Sequence, residues 1–162
     1  LDYDSEGLLL LTNDGELAHR LISPRRHVTK TYIASVTGQL TQSAVEKFAG
    51  GLMLSDFEAL PAKLTILSAG ETESIGQVEL TEGKFHQVKR MFKAVGKEVI
   101  YLKRLSMGSL VLDEKLELGE SRKLTEKEIE MLEKTELTAK ELTKIKRKYC
   151  IYCSKNYNFS SI

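Results

Sequence analysis

Long apolar runs are missing from this chain of 162 residues. No stretch approaches the roughly 20 residues that a membrane-spanning helix requires, so no membrane partner is expected. Cysteine is scarce: the two present, Cys150 and Cys153, lie near the C-terminus. They provide no disulfide framework, and a reducing, cytoplasmic location is the expectation. Repeats and low-complexity stretches are absent too. What is present is 41% hydrophobic and 29% charged residues, a balance that suits one folded soluble domain, or slightly less than two small ones.

Acidic residues are missing from one end. Residues 142–162 hold five bases and no acid, whereas residues 1–141 carry 23 acids and 19 bases. The overall charge of +1 therefore hides a pattern. Two basic islands interrupt the acidic part: His19, Arg20, Arg25, Arg26, His27 and Lys30, and then Lys84, Lys89, Arg90, Lys93, Lys97, Lys103 and Arg104. Taken singly each island reads as a solvated face. Brought together in space they would form a phosphate-binding surface that a net charge does not exclude.

Local patterns outline the elements. Leu8–Thr12 is an apolar run too short for a buried helix and reads as a central strand. Asn13-Asp14-Gly15 is a turn, with Asp14 a cap residue, and Glu16–Ile22 a short helix with Pro24 beyond its end. Lys30–Val36 is β-rich. Ser43 and Glu46 have capping-box spacing for a helix that Gly50-Gly51 would stop. Lys63–Leu67 and Ser74–Leu80 read as antiparallel strands. Phe85–Val95 reads as a helix closed by Gly96, with Val88, Met91, Phe92 and Val95 on its apolar face and His86, Lys89, Arg90 and Lys93 opposite. Val99–Leu105 and Ser109–Leu112 read as strands, and Thr125 with Glu128 opens a last helix that runs past Lys140. Strands in hairpin-like pairs among helices point to an α+β domain with a mixed, mostly antiparallel sheet. The segment after Lys144 reads as a mobile basic extension.

The acidic opening, Leu1 to Gly7, has the first spacings of a calcium loop. Leu10 and Asn13 then occupy its ninth and twelfth positions, which removes the bidentate carboxylate. A carboxylate pair for glycoside or phosphate chemistry finds no second ligand cluster. Cys150 and Cys153 have the spacing of half a zinc knuckle without a second pair, so free thiols are expected and no metal.

Leu1-Asp2-Tyr3-Asp4-Ser5-Glu6-Gly7-Leu8-Leu9-Leu10-Leu11-Thr12-Asn13-Asp14-Gly15 resembles the central signature of the small-ribosomal-subunit pseudouridine synthase family. Lys30-Thr31-Tyr32 resembles that family's second motif, and Glu82 to Phe92 its third. The resemblance covers roughly residues 1–132, in the correct order and spacing. It implies the pseudouridine synthase fold, Asp2 as the catalytic carboxylate, Tyr32 packed against the target base, and Val88 and Lys89 lining the pocket, with Lys89 paired to Asp2. Ser23 to His27 further resembles the branch that acts on 16S rather than 23S ribosomal RNA.

The resemblance also implies that the chain starts inside the first motif, since family members carry an Arg before this Leu and an earlier part of the catalytic domain. On that reading residues 1–132 are a partial catalytic domain, 133–162 a basic helix and tail, and a sheet edge is left open to swapping or dimerisation. Either the chain isomerises a uridine or it is an inactive RNA-binding remnant.

The chemistry suits these residue types. Moving a uracil from one bond to another at C1′ changes no oxidation state, so no cofactor is expected. It needs a carboxylate acting as nucleophile or base at one carbon. A carboxylate taken into a closed apolar pocket needs a cation beside it to remain charged. A target base drawn out of its stack needs a ring to lie on. Ribosomal RNA or an assembly intermediate is the expected partner, its flanking phosphates held by Arg20, Arg25, Arg26, Lys30, Lys84, His86, Arg90, Lys93 and Arg104.

Overall fold

The computed structural model describes residues 1–23, 26–136 and 149–154. In chain order the elements are β1 (Glu6–Thr12), α1 (Gly15–Ile22), β2 (Lys30–Thr37), α2 (Gln42–Gly50), β3 (Leu52–Met53), β4 (Glu58–Ala59), β5 (Lys63–Ala69), β6 (Glu73–Leu80), α3 (Gln87–Ala94), β7 (Val99–Met107), β8 (Leu110–Val111), β9 (Ser121–Lys123), α4 (Glu126–Glu136) and β10 (Tyr149–Ser154). The main sheet runs β5-β6-β2-β7-β1-β10-β9, with β8 hairpinned onto β7; β3 and β4 form a small ribbon of their own. The pairing of β1 with β7 is parallel and the other pairings are antiparallel. The domain is therefore α+β with a mixed, mostly antiparallel sheet, as its sequence predicts.

Alternation along β6 sends Ser74, Gly76, Val78 and Leu80 inward, and two apolar cores result. The larger joins Ala34, Val36, Val78 and Leu102 of the sheet to Phe48 of α2 and Met91 and Phe92 of α3. Phe48 and Phe92 meet with ring centroids 5.0 Å apart. The smaller gathers Leu8, Leu17, Leu21, Met107, Leu110 and Leu132 around α1 and α4.

Capping chemistry fixes the helix starts. Buried Asp14 caps α1, its Oδ1 accepting from Glu16 N and Leu17 N at 3.0 Å each. The box expected at Ser43 and Glu46 does not form: α2 starts two residues earlier, with Thr41 rather than Ser43 as its cap and no side-chain cap bond. The box at Thr125 and Glu128 does, Glu128 Oε2 accepting from Thr125 N at 2.7 Å and Thr125 Oγ1 from Glu128 N at 3.3 Å.

Arg122 grips the same Glu128 carboxylate with both terminal nitrogens, at 2.9 and 2.8 Å. That fork holds the Glu128 carboxyl down at about 2 from an ordinary 4.5. A carboxylate depressed in the fold stabilises it above the ordinary value and loses that contribution as pH falls toward the depressed one. The pair is partly exposed and screened, so Glu128→Gln is expected to cost about 1 kcal/mol at neutral pH. Urea titrations of both proteins should approach each other as pH falls through the range from 4.5 to about 2 and converge only below it.

One expectation is corrected at the C-terminal end. The segment read as a basic extension contributes β10, which lies between β1 and β9, with Leu8 opposite Cys153 and Leu10 opposite Ile151. An antiparallel ladder needs only backbone and register, and the flanking lysines conceal it in the sequence. β10 pairs with β1, and the outermost strands of the main sheet among the described residues are β5 and β9. The continuation of α4 past Lys140 lies outside the described residues.

Candidate active site

Asp2 belongs to a turn, closed by Ser5 N donating to Asp2 O at 3.0 Å, that leads directly into β1. Gly7 makes the entry feasible. Its φ is +105°, and a Cβ there would lie 2.1 Å from the Arg104 carbonyl oxygen. Only a residue without a side chain lets β1 approach β7 this closely in that conformation. Buried Arg104 then ties the strands together, its Nε donating to Leu8 O at 2.8 Å. The carboxylate is thus held at the end of a rigid central strand.

Beside it opens a cavity of about 180 Å³, at the junction of the two cores. Asp2, Tyr32, Val88, Lys30, Leu102 and Arg104 are among its walls. Residues from four separated stretches of sequence meet here: the turn before β1, the start of β2, the first turn of α3 and β7. Tyr32 and Asp2 are half-buried, while Val88, Lys30 and Arg104 are buried.

Two basic side chains at the start of α3 stand near the carboxylate. Lys89 Nζ stands 3.9 Å from Asp2 Oδ2 and His86 Nε2 3.8 Å from Asp2 Oδ1. The hydrogen bond of Lys89 goes instead to the exposed Asp4, and that contact is the main reason the Asp4 carboxyl lies below the usual carboxylate range. Lys89 therefore serves two carboxylates, and the expected direct pairing with Asp2 is an ion pair at longer range.

Sequence reasoning missed the brace behind these residues. Glu82, buried, accepts from Gln87 Nε2 at 2.6 Å and from Leu60 N at 2.7 Å. Gln87 Oε1 in turn accepts from Lys84 N at 2.9 Å. This fixes the turn from 82 to 87 and so the first turn of α3, which carries Val88 and Lys89. A buried polar pair five residues apart follows neither helical nor strand spacing; only the polarity of Gln87 on an apolar face hints at it.

The expected phosphate contacts divide. Arg20 is 5% exposed and turned onto Glu16 at 2.5 Å, because α1 packs that face into the smaller core. Lys30 is buried with Nζ donating to Val28 O at 3.0 Å. With Arg104 they are walls or struts, not parts of an open basic face. Arg90 is engaged with Ser55 and Asp56, and Lys84 Nζ lies 3.7 Å from the Phe57 ring centroid, so both clasp the loop between β3 and β4. Arg26, Lys84, Lys93 and part of His86 reach solvent. Arg25 lies outside the described residues.

Comparison with known proteins places this arrangement in context. Residues 1–94 match the sequence model of the RNA pseudouridylate synthase family. The chain is 48% identical over 130 residues to an uncharacterized RNA pseudouridine synthase of Bacillus subtilis, YtzG, which spans 80% of this chain and 54% of that protein. It is 41% identical over 131 residues to ribosomal small subunit pseudouridine synthase A of Escherichia coli, again 80% of this chain and 55% of the relative. A solved pseudouridylate synthase superposes with a TM-score of 0.74 at 42% identity, covering 82% of this chain and 56% of its own. The chain spans about half the length of the curated relatives it matches.

Proposed function

As a member of the RNA pseudouridylate synthase family, the chain carries, we propose, the site that isomerises a uridine of 16S ribosomal RNA to pseudouridine with Asp2 as its essential carboxylate. The observation that supports this most is the convergence of Asp2, Tyr32 and Val88 on one cavity with room for a single nucleobase.

The reaction breaks the bond from C1′ to uracil N1 and forms one from C1′ to C5, while the proton lost at C5 is balanced by one gained at N1. Nothing is oxidised or reduced. Asp2 acts as nucleophile or base at one carbon, Tyr32 offers a ring face to the extruded base, and Val88 supplies apolar packing. Lys89 has a further use. Its bond to exposed Asp4 is worth about 0–1 kcal/mol, so trading it for Asp2 costs little. When a base covers the cavity and removes water, attraction between Lys89 and Asp2 strengthens as the local dielectric falls. Occupancy would thereby draw the cation toward the reacting carboxylate.

The choice of 16S rests on the stretch from Ser23 to His27 together with the small-subunit relatives. Incubating the chain with 16S and 23S ribosomal RNA, followed by carbodiimide mapping, tests both parts of the proposal. Modification at one 16S uridine is expected. Modification of 23S alone would overturn the subunit assignment. Bound but unmodified RNA would make the chain a binding remnant.

A further inference from the structure

Phe85 is out of place as a structural residue. It is 76% exposed, the most exposed large apolar side chain among the described residues, and it lies within the braced turn from 82 to 87. Its ring stacks on that of His86, with centroids 3.8 Å apart and planes 18° from parallel. His86 adopts φ 49°, ψ 30°, a left-handed conformation that costs a non-glycine residue free energy and recurs at functional sites. The same turn holds His86 Nε2 3.8 Å from Asp2 Oδ1, so the two-ring stack begins at the reacting carboxylate and extends outward to solvent.

We infer that the stacked Phe85–His86 pair is a platform for the base next to the target uridine in the RNA strand. This rests on the reading of the Asp2 cavity as the uridine pocket. The platform is continuous with that cavity, whose lining includes the neighbouring Gly83 and Lys84. On this inference, a strand whose uridine enters the cavity lays its next nucleotide over this rim. Lys84 precedes Phe85 in the chain and is exposed, as is Lys93 on α3, giving the positive surroundings that a phosphate chain favours and an apolar protein segment does not. Base-on-ring stacking tolerates any base identity, so the platform adds affinity and orientation without adding sequence preference.

The test uses the full chain and a short single-stranded oligoribonucleotide with one uridine and 2-aminopurine beside it, followed by fluorescence. Binding should quench the 2-aminopurine, as stacking does. Phe85→Ala should bind about 10-fold more weakly, equivalent to about 1.4 kcal/mol, with the quenching lost. Phe85→Leu, which keeps apolar bulk, should lose the quenching too, and Phe85→Tyr should keep it. Alanine and leucine variants that bind within twofold of the parent and quench fully would overturn the platform. If the parent chain makes pseudouridine while those variants behave like it, the platform alone falls. If the parent binds no RNA, the uridine-pocket reading falls with it.

Discussion

Gly7→Ala is expected to destabilise the domain by more than about 3 kcal/mol and to dismantle the site from behind. Two costs add. At φ +105° an L-residue occupies a region essentially reserved for glycine, at about 1–3 kcal/mol. The new methyl group would also sit 2.1 Å from the Arg104 carbonyl oxygen and 2.7 Å from its nitrogen, which are backbone atoms of β7 with no rotamer to change. The strands must therefore part where β1 is parallel to β7, at Glu6–Lys103 and Gly7–Arg104. Arg104 Nε would lose Leu8 O, and the turn that carries Asp2 would lose its support. Against a total stability of about 5–15 kcal/mol that is a large fraction. Urea denaturation reads it directly. An alanine variant within 1 kcal/mol of the parent would mean that β1 does not need this approach.

Much of the fold is legible in the sequence. Leu8–Leu11, the β-rich run from Lys30 and the paired strands at Lys63 and Ser74 declare themselves by apolar pattern. Asp14, Gly50-Gly51 and Thr125 with Glu128 mark helix ends through local hydrogen-bonding chemistry. The less legible parts share a cause, since their signal is not in the side chains that pattern reads. β3 and β4 are two residues each and β9 is Ser-Arg-Lys; such pieces pair through backbone groups alone. The segment carrying β10 is masked by neighbouring lysines. At the site, the motifs name Asp2, Tyr32, Val88 and Lys89, but the meeting of the first three in one cavity depends on the sheet order, and Lys89 is not among that cavity's walls. Arg20, Lys30 and Arg104 read as surface cations because charge is visible in sequence and burial is not. Gly7 falls within the first motif, yet its reason, a close approach by β7, comes from a strand almost a hundred residues away.

Asp2→Asn is expected to abolish isomerisation, by more than about 10³-fold, while leaving fold and RNA binding intact. The substitution keeps shape and removes only the charge and the basicity that a nucleophile or general base supplies. Its side chain is 22% exposed, and His86 Nε2 and Lys89 Nζ are both near 4 Å from it, so the change in stability should stay within about 0.5 kcal/mol. Losing a negative charge beside a phosphate chain should, if anything, tighten RNA binding. Loss of turnover with binding retained separates a chemical role from a structural one. The most direct measurement is the pseudouridine content of 16S ribosomal RNA after incubation with the parent chain and with Asp2→Asn in parallel. The account predicts one new pseudouridine with the parent and none with the variant at equal RNA occupancy; an asparagine variant that modifies the same uridine within tenfold of the parent rate would contradict it.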